Sequence, residues 1–156
     1  MDAGVVLQIQ IAPVKRGPTV PLPEVRAVAG QGLEGDHHFR ADGVFDDRVG
    51  PGRQVTLVDA DEVEAANVAH GFGLAPVDLR RNLVTRGVRL LDLLDREFLV
   101  GEAVLRGERR SDPCAHIESV TKPGVLAAFV GRAGLRASVV RSGTIRVGDR
   151  VSRTGS

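Results

Sequence analysis

The sequence predicts a mainly β chain: a barrel-like single domain over residues 1–156 with a few peripheral helices. Three observations predict it. Apolar and polar residues alternate in short segments such as Leu7-Gln8-Ile9-Gln10-Ile11, the period of a half-buried strand. A strand–glycine–acid–strand pattern occurs at Leu99–Val104 and again at Ile145–Val151, which suits tight type II′ hairpins. The clearest helix is bounded by Asp59 as N-cap and Gly71 as C-terminal stop, with Glu62 placed to complete a capping box.

Taken in order, the first strand follows Leu7, Ile9 and Ile11, with Gln8 and Gln10 on its other face. Pro13, Pro18, Pro21 and Pro23 oppose regular pairing and predict an extended loop. Glu24–Val28 resumes a strand, and residues 30–52 form a long Gly-, Asp- and His-rich segment with no hydrophobic period. Structureless loops longer than about 12–15 residues are uncommon in compact domains and often functional, so this one is a candidate site wall. Gln54–Val58 and Asn82–Thr85 read as strands on either side of the Asp59 helix. A short helix is expected within residues 124–130, and a late strand at Leu135–Arg141 ends before the Ser142-Gly143 turn. No parallel βαβ alternation is visible.

Composition narrows the function classes. With 42% apolar residues and 26% charged ones, a chain of 156 residues can bury a core without staples. Lys and Arg number 21 against 20 Asp and Glu, a balance that argues against a nucleic-acid partner. Aromatics amount to five Phe and no Trp or Tyr, so base-stacking platforms are not expected either. The amino-terminal apolar stretch is broken by polar residues, lacks a basic leader and is too short to span a bilayer; a cytoplasmic protein with no membrane partner is expected. The single cysteine, Cys114, rules out an intrachain disulfide or a cysteine-rich metal cage within one chain.

Three clusters carry candidate chemistry. Gly32-Leu33-Glu34-Gly35-Asp36-His37-His38 combines tight-turn glycines with a carboxylate and imidazoles that exchange protons near neutral pH; the same residues would also serve as a solvated turn. Adjacent histidines in an extended chain point apart, so a metal signal there is weak. In Arg80-Arg81-Asn82-Leu83, read as a strand, Arg80 and Asn82 share one face and form a fork for a phosphate or polar heterocycle, with Arg81 on the other. An arginine-rich surface rim is the alternative. In Ser111-Asp112-Pro113-Cys114-Ala115-His116, proline restrains the turn before the thiol, and His116 offers a cation that lowers its pKa; a small buried hydrophobe is the alternative.

These strings, together with Arg53-Gln54-Val55-Thr56-Leu57-Val58-Asp59 and Gly143-Thr144-Ile145-Arg146-Val147-Gly148-Asp149, run in an order that resembles the MOSC domain, the molybdenum cofactor sulfurase C-terminal family. The resemblance extends from about Val5 to Val151. It implies a MOSC-like β-barrel that binds molybdenum cofactor (molybdopterin), with Cys114 as molybdenum ligand and Arg80 and Asn82 as cofactor anchors. A soft thiolate suits a sulfur-rich metal centre. Asp36, His37 and His116 would stand around the reacting oxygen, and reduction of N-hydroxylated compounds is the implied chemistry. The chain carries no aminotransferase-like pyridoxal phosphate domain and no iron–sulfur domain, so electrons would come from a separate donor protein. The resemblance equally allows a sulfur carrier that holds a persulfide on Cys114 between donor and acceptor proteins. A non-catalytic binding module is the third reading.

Overall fold

The computed structural model describes residues 3–39, 54–111 and 115–154. Its strands are β1 (Ala3–Ile11), β2 (Val20–Leu22), β3 (Glu24–Val28), β4 (Gly32–Leu33), β5 (Val55–Asp59) and β6 (Leu83–Arg86). They continue as β7 (Glu97–Val100), β8 (Ala103–Arg110), β9 (Leu135–Arg141), β10 (Gly143–Arg146) and β11 (Arg150–Arg153). Seven of them close into a barrel in the order β1-β11-β7-β8-β9-β5-β6, with β6 returning to β1. A separate three-stranded sheet runs β10-β3-β4, and β2 extends β1 at its far end. The chain is therefore mainly β, as the alternation predicts.

Successive residues of a strand face opposite sides, and β5 shows the consequence. Leu57 points into the barrel with Val6, Ile9, Leu83, Phe98, Leu105 and Leu135. Its neighbour Val58 joins a second core outside, where helix α1 (Ala60–His70) packs Val63 and Ala66 against Val84, Leu79 and Phe129. Asp59 is the N-cap, accepting from the Asp61 amide at 2.8 Å, and Gly71 closes the helix in the left-handed region at φ 70°. Losing an N-cap carboxylate costs about 1 kcal/mol. Asp59→Ala should therefore lower the melting temperature by roughly 2–4 °C in a thermal melt.

Three features depart from the sequence expectation. The proline-rich stretch is not wholly loop, since β2 pairs with β1 and carries Pro21. An edge strand tolerates this because the missing N–H falls where no partner is needed. Barrel pairings are antiparallel except β5–β6, which is parallel and bridged by α1, so one βαβ crossover is present. Finally, Gly101-Glu102 makes the expected hairpin between β7 and β8, but the second strand–Gly–acid–strand string does not. There β10 pairs with β3, and β11 pairs with β7 and β1. The Gly148-Asp149 turn is held by β1 instead, through Gly148 N–H to Val6 O at 2.8 Å and Val6 N–H to Asp149 O at 2.9 Å.

The helix expected within residues 124–130 is α3 (Val125–Ala128); α2 (Ala115–Val120) precedes it and was not signalled. Among the described residues no helix is long and apolar enough to cross a membrane.

Candidate functional site

Gln10 to Ala12 at the end of β1, Asn82 before β6 and Thr56 on β5 meet beside Arg136 on β9. Thr56 and Arg136 are register partners, and their neighbours Leu57 and Leu135 face the barrel interior, so both lie on its outer surface. Together with the 12–19 loop, the 36–38 turn and α2 they enclose a cleft of about 290 Å³. Its cationic lining is Lys15, Arg16, Arg80, Arg81 and Arg136, joined by His37, His38 and His116; Asp36 is the acid among its described lining residues.

Of the residues singled out in the sequence, Asp36, His37, Arg80, Asn82 and His116 all reach this cleft. Cys114 lies outside the described residues, as do Arg53 and Pro113; His116, two positions after Cys114, lines the wall. The strand reading of residues 80–82 needs correction. β6 begins at Leu83, and Arg80 closes a 3-10 turn (Pro76–Leu79) in the left-handed region at φ 61°. Strand alternation therefore does not apply, and Arg81 lines the cleft beside Arg80 rather than facing away. Arg81 is buried, and its Nε donates to Ala133 O at 3.1 Å. Arg80 Nη2 donates to Gly17 O at 2.6 Å and so ties the 12–19 loop to the cleft wall.

Asn82 is buried and its carboxamide is fully engaged by the protein. Oδ1 accepts from Thr56 N at 3.0 Å and from Thr56 Oγ1 at 3.2 Å. Nδ2 donates to Gln10 O at 3.1 Å and reaches Asp36 Oδ1 at 3.4 Å. Its amide thus fastens β1, β5 and the Asp36 turn to one another, which makes it a positioning group in this cleft.

Asp36 itself accepts from Ala12 N at 2.9 Å and His38 N at 3.2 Å. Burial pushes its carboxyl up, but hydrogen bonds from His38 and the Ala12 amide, with the His37 ring nearby, outweigh burial and hold it below the usual carboxylate value. A depressed folded pKa stabilises the fold above the unfolded value of about 3.9, and that contribution disappears as pH falls through the folded pKa. Thermal melts between about pH 2 and pH 6 should show a flatter acid limb for Asp36→Asn than for wild type. Ser111 Oγ and His116 Nε2 are buried without a hydrogen-bond partner among the described residues.

Sequence reading missed Lys15, Arg16, His38 and Arg136 as cleft residues. Lys15 and Arg16 sit in the proline-rich loop and Arg136 in an ordinary-looking strand, so no local pattern marked them. His38 belongs to the Gly32–His38 string, but adjacent histidines rarely point the same way, so nothing in the sequence marks it beside His37. Here the chain turns, with Asp36 N–H to Leu33 O and Phe39 N–H to Asp36 O, and the two rings lie 3.9 Å apart.

Fold and site together define a β-barrel domain with a cation-lined cleft on the outside of the barrel. The family model for the MOSC domain matches residues 35–152. Solved structures agree on the fold. The YuaD protein from Bacillus subtilis matches with TM-score 0.80 at 23% identity, over 96% of this chain and 94% of that one. YiiM from Geobacillus stearothermophilus matches with TM-score 0.72 at 14% identity, over 97% of this chain and 75% of that one. YiiM from Escherichia coli gives TM-score 0.69 at 18% identity, over 100% and 71% respectively. A search of curated protein sequences returned no match. The chain belongs to the MOSC domain family.

Proposed function

We propose that this MOSC protein binds molybdenum cofactor in the cleft and reduces N-hydroxylated compounds in the cytoplasm, with electrons from a separate protein. One observation carries the reading: Arg80, Asn82, Asp36, His37 and His116, chosen from separate stretches of sequence, converge on one cation-lined cleft, and His116 stands two positions after Cys114 in the chain. The donor set fits the group. An anionic phosphate ester is matched by Arg80 with Lys15, Arg16 and Arg136 near it, because charge-assisted hydrogen bonds to guanidinium are the strong ones. His116 Nε2, without a partner among the described residues, offers a further polar contact. When bound, the cofactor would supply the redox chemistry, with Cys114 as the thiolate ligand to its metal.

The chain's own residues have narrower tasks. Arg80 would hold the cofactor's anionic end, and Asn82 would keep Asp36 and the β1 end in register around it. Asp36, ionised and buried, would orient the imidazoles, and His37 and His116 would deliver protons as the N–O bond is broken and water leaves.

The test is a metal assay and intact mass on the full chain made in a cofactor-competent host. With no Trp or Tyr the polypeptide absorbs little in the near ultraviolet, so a cofactor band is read directly. Molybdenum with an oxidisable pterin is the expected result. An added sulfur lost on reduction, with no molybdenum, would replace this reading with the sulfur carrier.

A further inference from the structure

We infer that His37 and His38, backed by Asp36, form a binding site for a divalent transition-metal ion of the zinc kind. The site goes beyond the molybdenum reading and does not depend on it; with a metal on His37, proton delivery in that reading falls to His116.

Backbone geometry comes first. Gly35, at φ 88°, lets the chain turn, and His37 N–H bonds to Ala12 O at 2.9 Å, so consecutive side chains gather on one side. Each imidazole then has its Nδ1 near an acceptor. His37 Nδ1 lies 2.9 Å from Ala12 O, and a carbonyl only accepts, so that nitrogen carries the proton. His38 Nδ1 lies 3.5 Å from the Asp36 carboxylate, which likewise only accepts. For His37 this places the lone pair on Nε2; the longer His38–Asp36 separation is an ion-pair distance and fixes no tautomer. Anchoring one ring nitrogen on a carbonyl or carboxylate while the other ligates is the usual arrangement behind a metal-bound histidine.

Spacing follows. The rings are 3.9 Å apart and tilted by 39°, and one ligand atom from each of Asp36, His37 and His38 lies within 4.8 Å of the others. Tetrahedral zinc with bonds of about 2.0–2.1 Å holds its ligands about 3.4 Å apart. Both imidazoles are partly exposed, which leaves the rings room to turn toward a shared ion. Two imidazoles select zinc, nickel or copper over magnesium and calcium, which require more oxygen ligands. The open side of the site faces the cleft, where Lys15, Arg16 and Arg80 favour an anion in the remaining coordination positions.

The experiment uses the full chain produced without added molybdenum and dialysed against a chelator. Zinc chloride is titrated calorimetrically, and cobalt chloride is followed by visible absorption. Binding of one zinc per chain, weakened about tenfold or more by His38→Gln and by His37→Gln, is the expected result. Cys114→Ser and His70→Gln should bind as wild type. His38→Gln removes the long contact with Asp36 and the ring contact with His37, and a thermal melt matching wild type shows that any lost affinity is not unfolding. No stoichiometric zinc, wild-type affinity in both histidine variants, or loss confined to Cys114→Ser would each overturn the site. The cofactor reading is scored separately by molybdenum content, so either can fail alone.

Discussion

Replacing Asn82 with alanine is expected to lower the unfolding free energy by about 3 kcal/mol and the melting temperature by roughly 6–12 °C. The size follows from what the carboxamide satisfies. Thr56 N and Gln10 O are main-chain groups of two barrel strands, and Asp36 is a buried carboxylate. Truncation leaves all of them short of a partner, and each buried unsatisfied group costs about 1–3 kcal/mol, partly relieved where water enters from the cleft. Asn82→Asp is the sharper companion, since it keeps the shape but sets a second carboxylate against Asp36. Its penalty should grow as pH rises above the carboxylate range, whereas that of Asn82→Ala should not. Denaturant unfolding at several pH values measures both. A loss below about 1 kcal/mol for the alanine variant would mean that the network is not what holds this end of the barrel.

The same network explains what sequence could and could not reveal. Alternation located β1 because Ile9 and Ile11 bury on the barrel side. It misplaced Gln10, which reads as solvent-facing but is buried. Gln10 Nε2 donates to Val77 O at 3.0 Å and Arg81 O at 2.9 Å, so the outer face of β1 is covered by the very turn that presents Arg80. Period-2 reading assumes a wet outer face, and a cleft wall violates that assumption. The hairpin at Ile145–Val151 failed for a related reason. A Gly-acid turn states that the chain bends, but which strands pair afterwards is decided by β1, β3 and β7, all distant in sequence. Helix α1, by contrast, is specified locally by Asp59 and Gly71, and it appears where they place it. The candidate residues were legible as residue types in order; their common cleft was not, because it is assembled from five strand and loop segments.

Arg80→Ala is expected to reduce retained molybdenum and pterin by about tenfold or more while leaving persulfide loading of Cys114 unchanged. A charge-assisted hydrogen bond to an anionic group contributes about 1.5–3 kcal/mol, and tenfold corresponds to about 1.4 kcal/mol. A sulfur carrier has no anionic cofactor to hold, which is why the two readings part at this residue. Arg81 does not serve as the matched control, since it lines the same cleft and donates to Ala133 O from a buried position. Arg26 does, because it lies on β3 away from the cleft and makes an exposed pair with Glu34. Arg80 also holds the 12–19 loop through Gly17 O, so loss of the loop contact must be told apart from loss of charge. Arg80→Gln makes that separation: it retains a donor for the carbonyl but no cation. Retention as poor as in Arg80→Ala assigns the effect to the charge, whereas recovery to the wild-type ratio assigns it to the loop. Wild-type retention in Arg80→Ala itself would remove Arg80 from the anchor role. If neither wild type nor variant carries molybdenum and both carry a reducible sulfur, the chain is a sulfur carrier with its persulfide on Cys114.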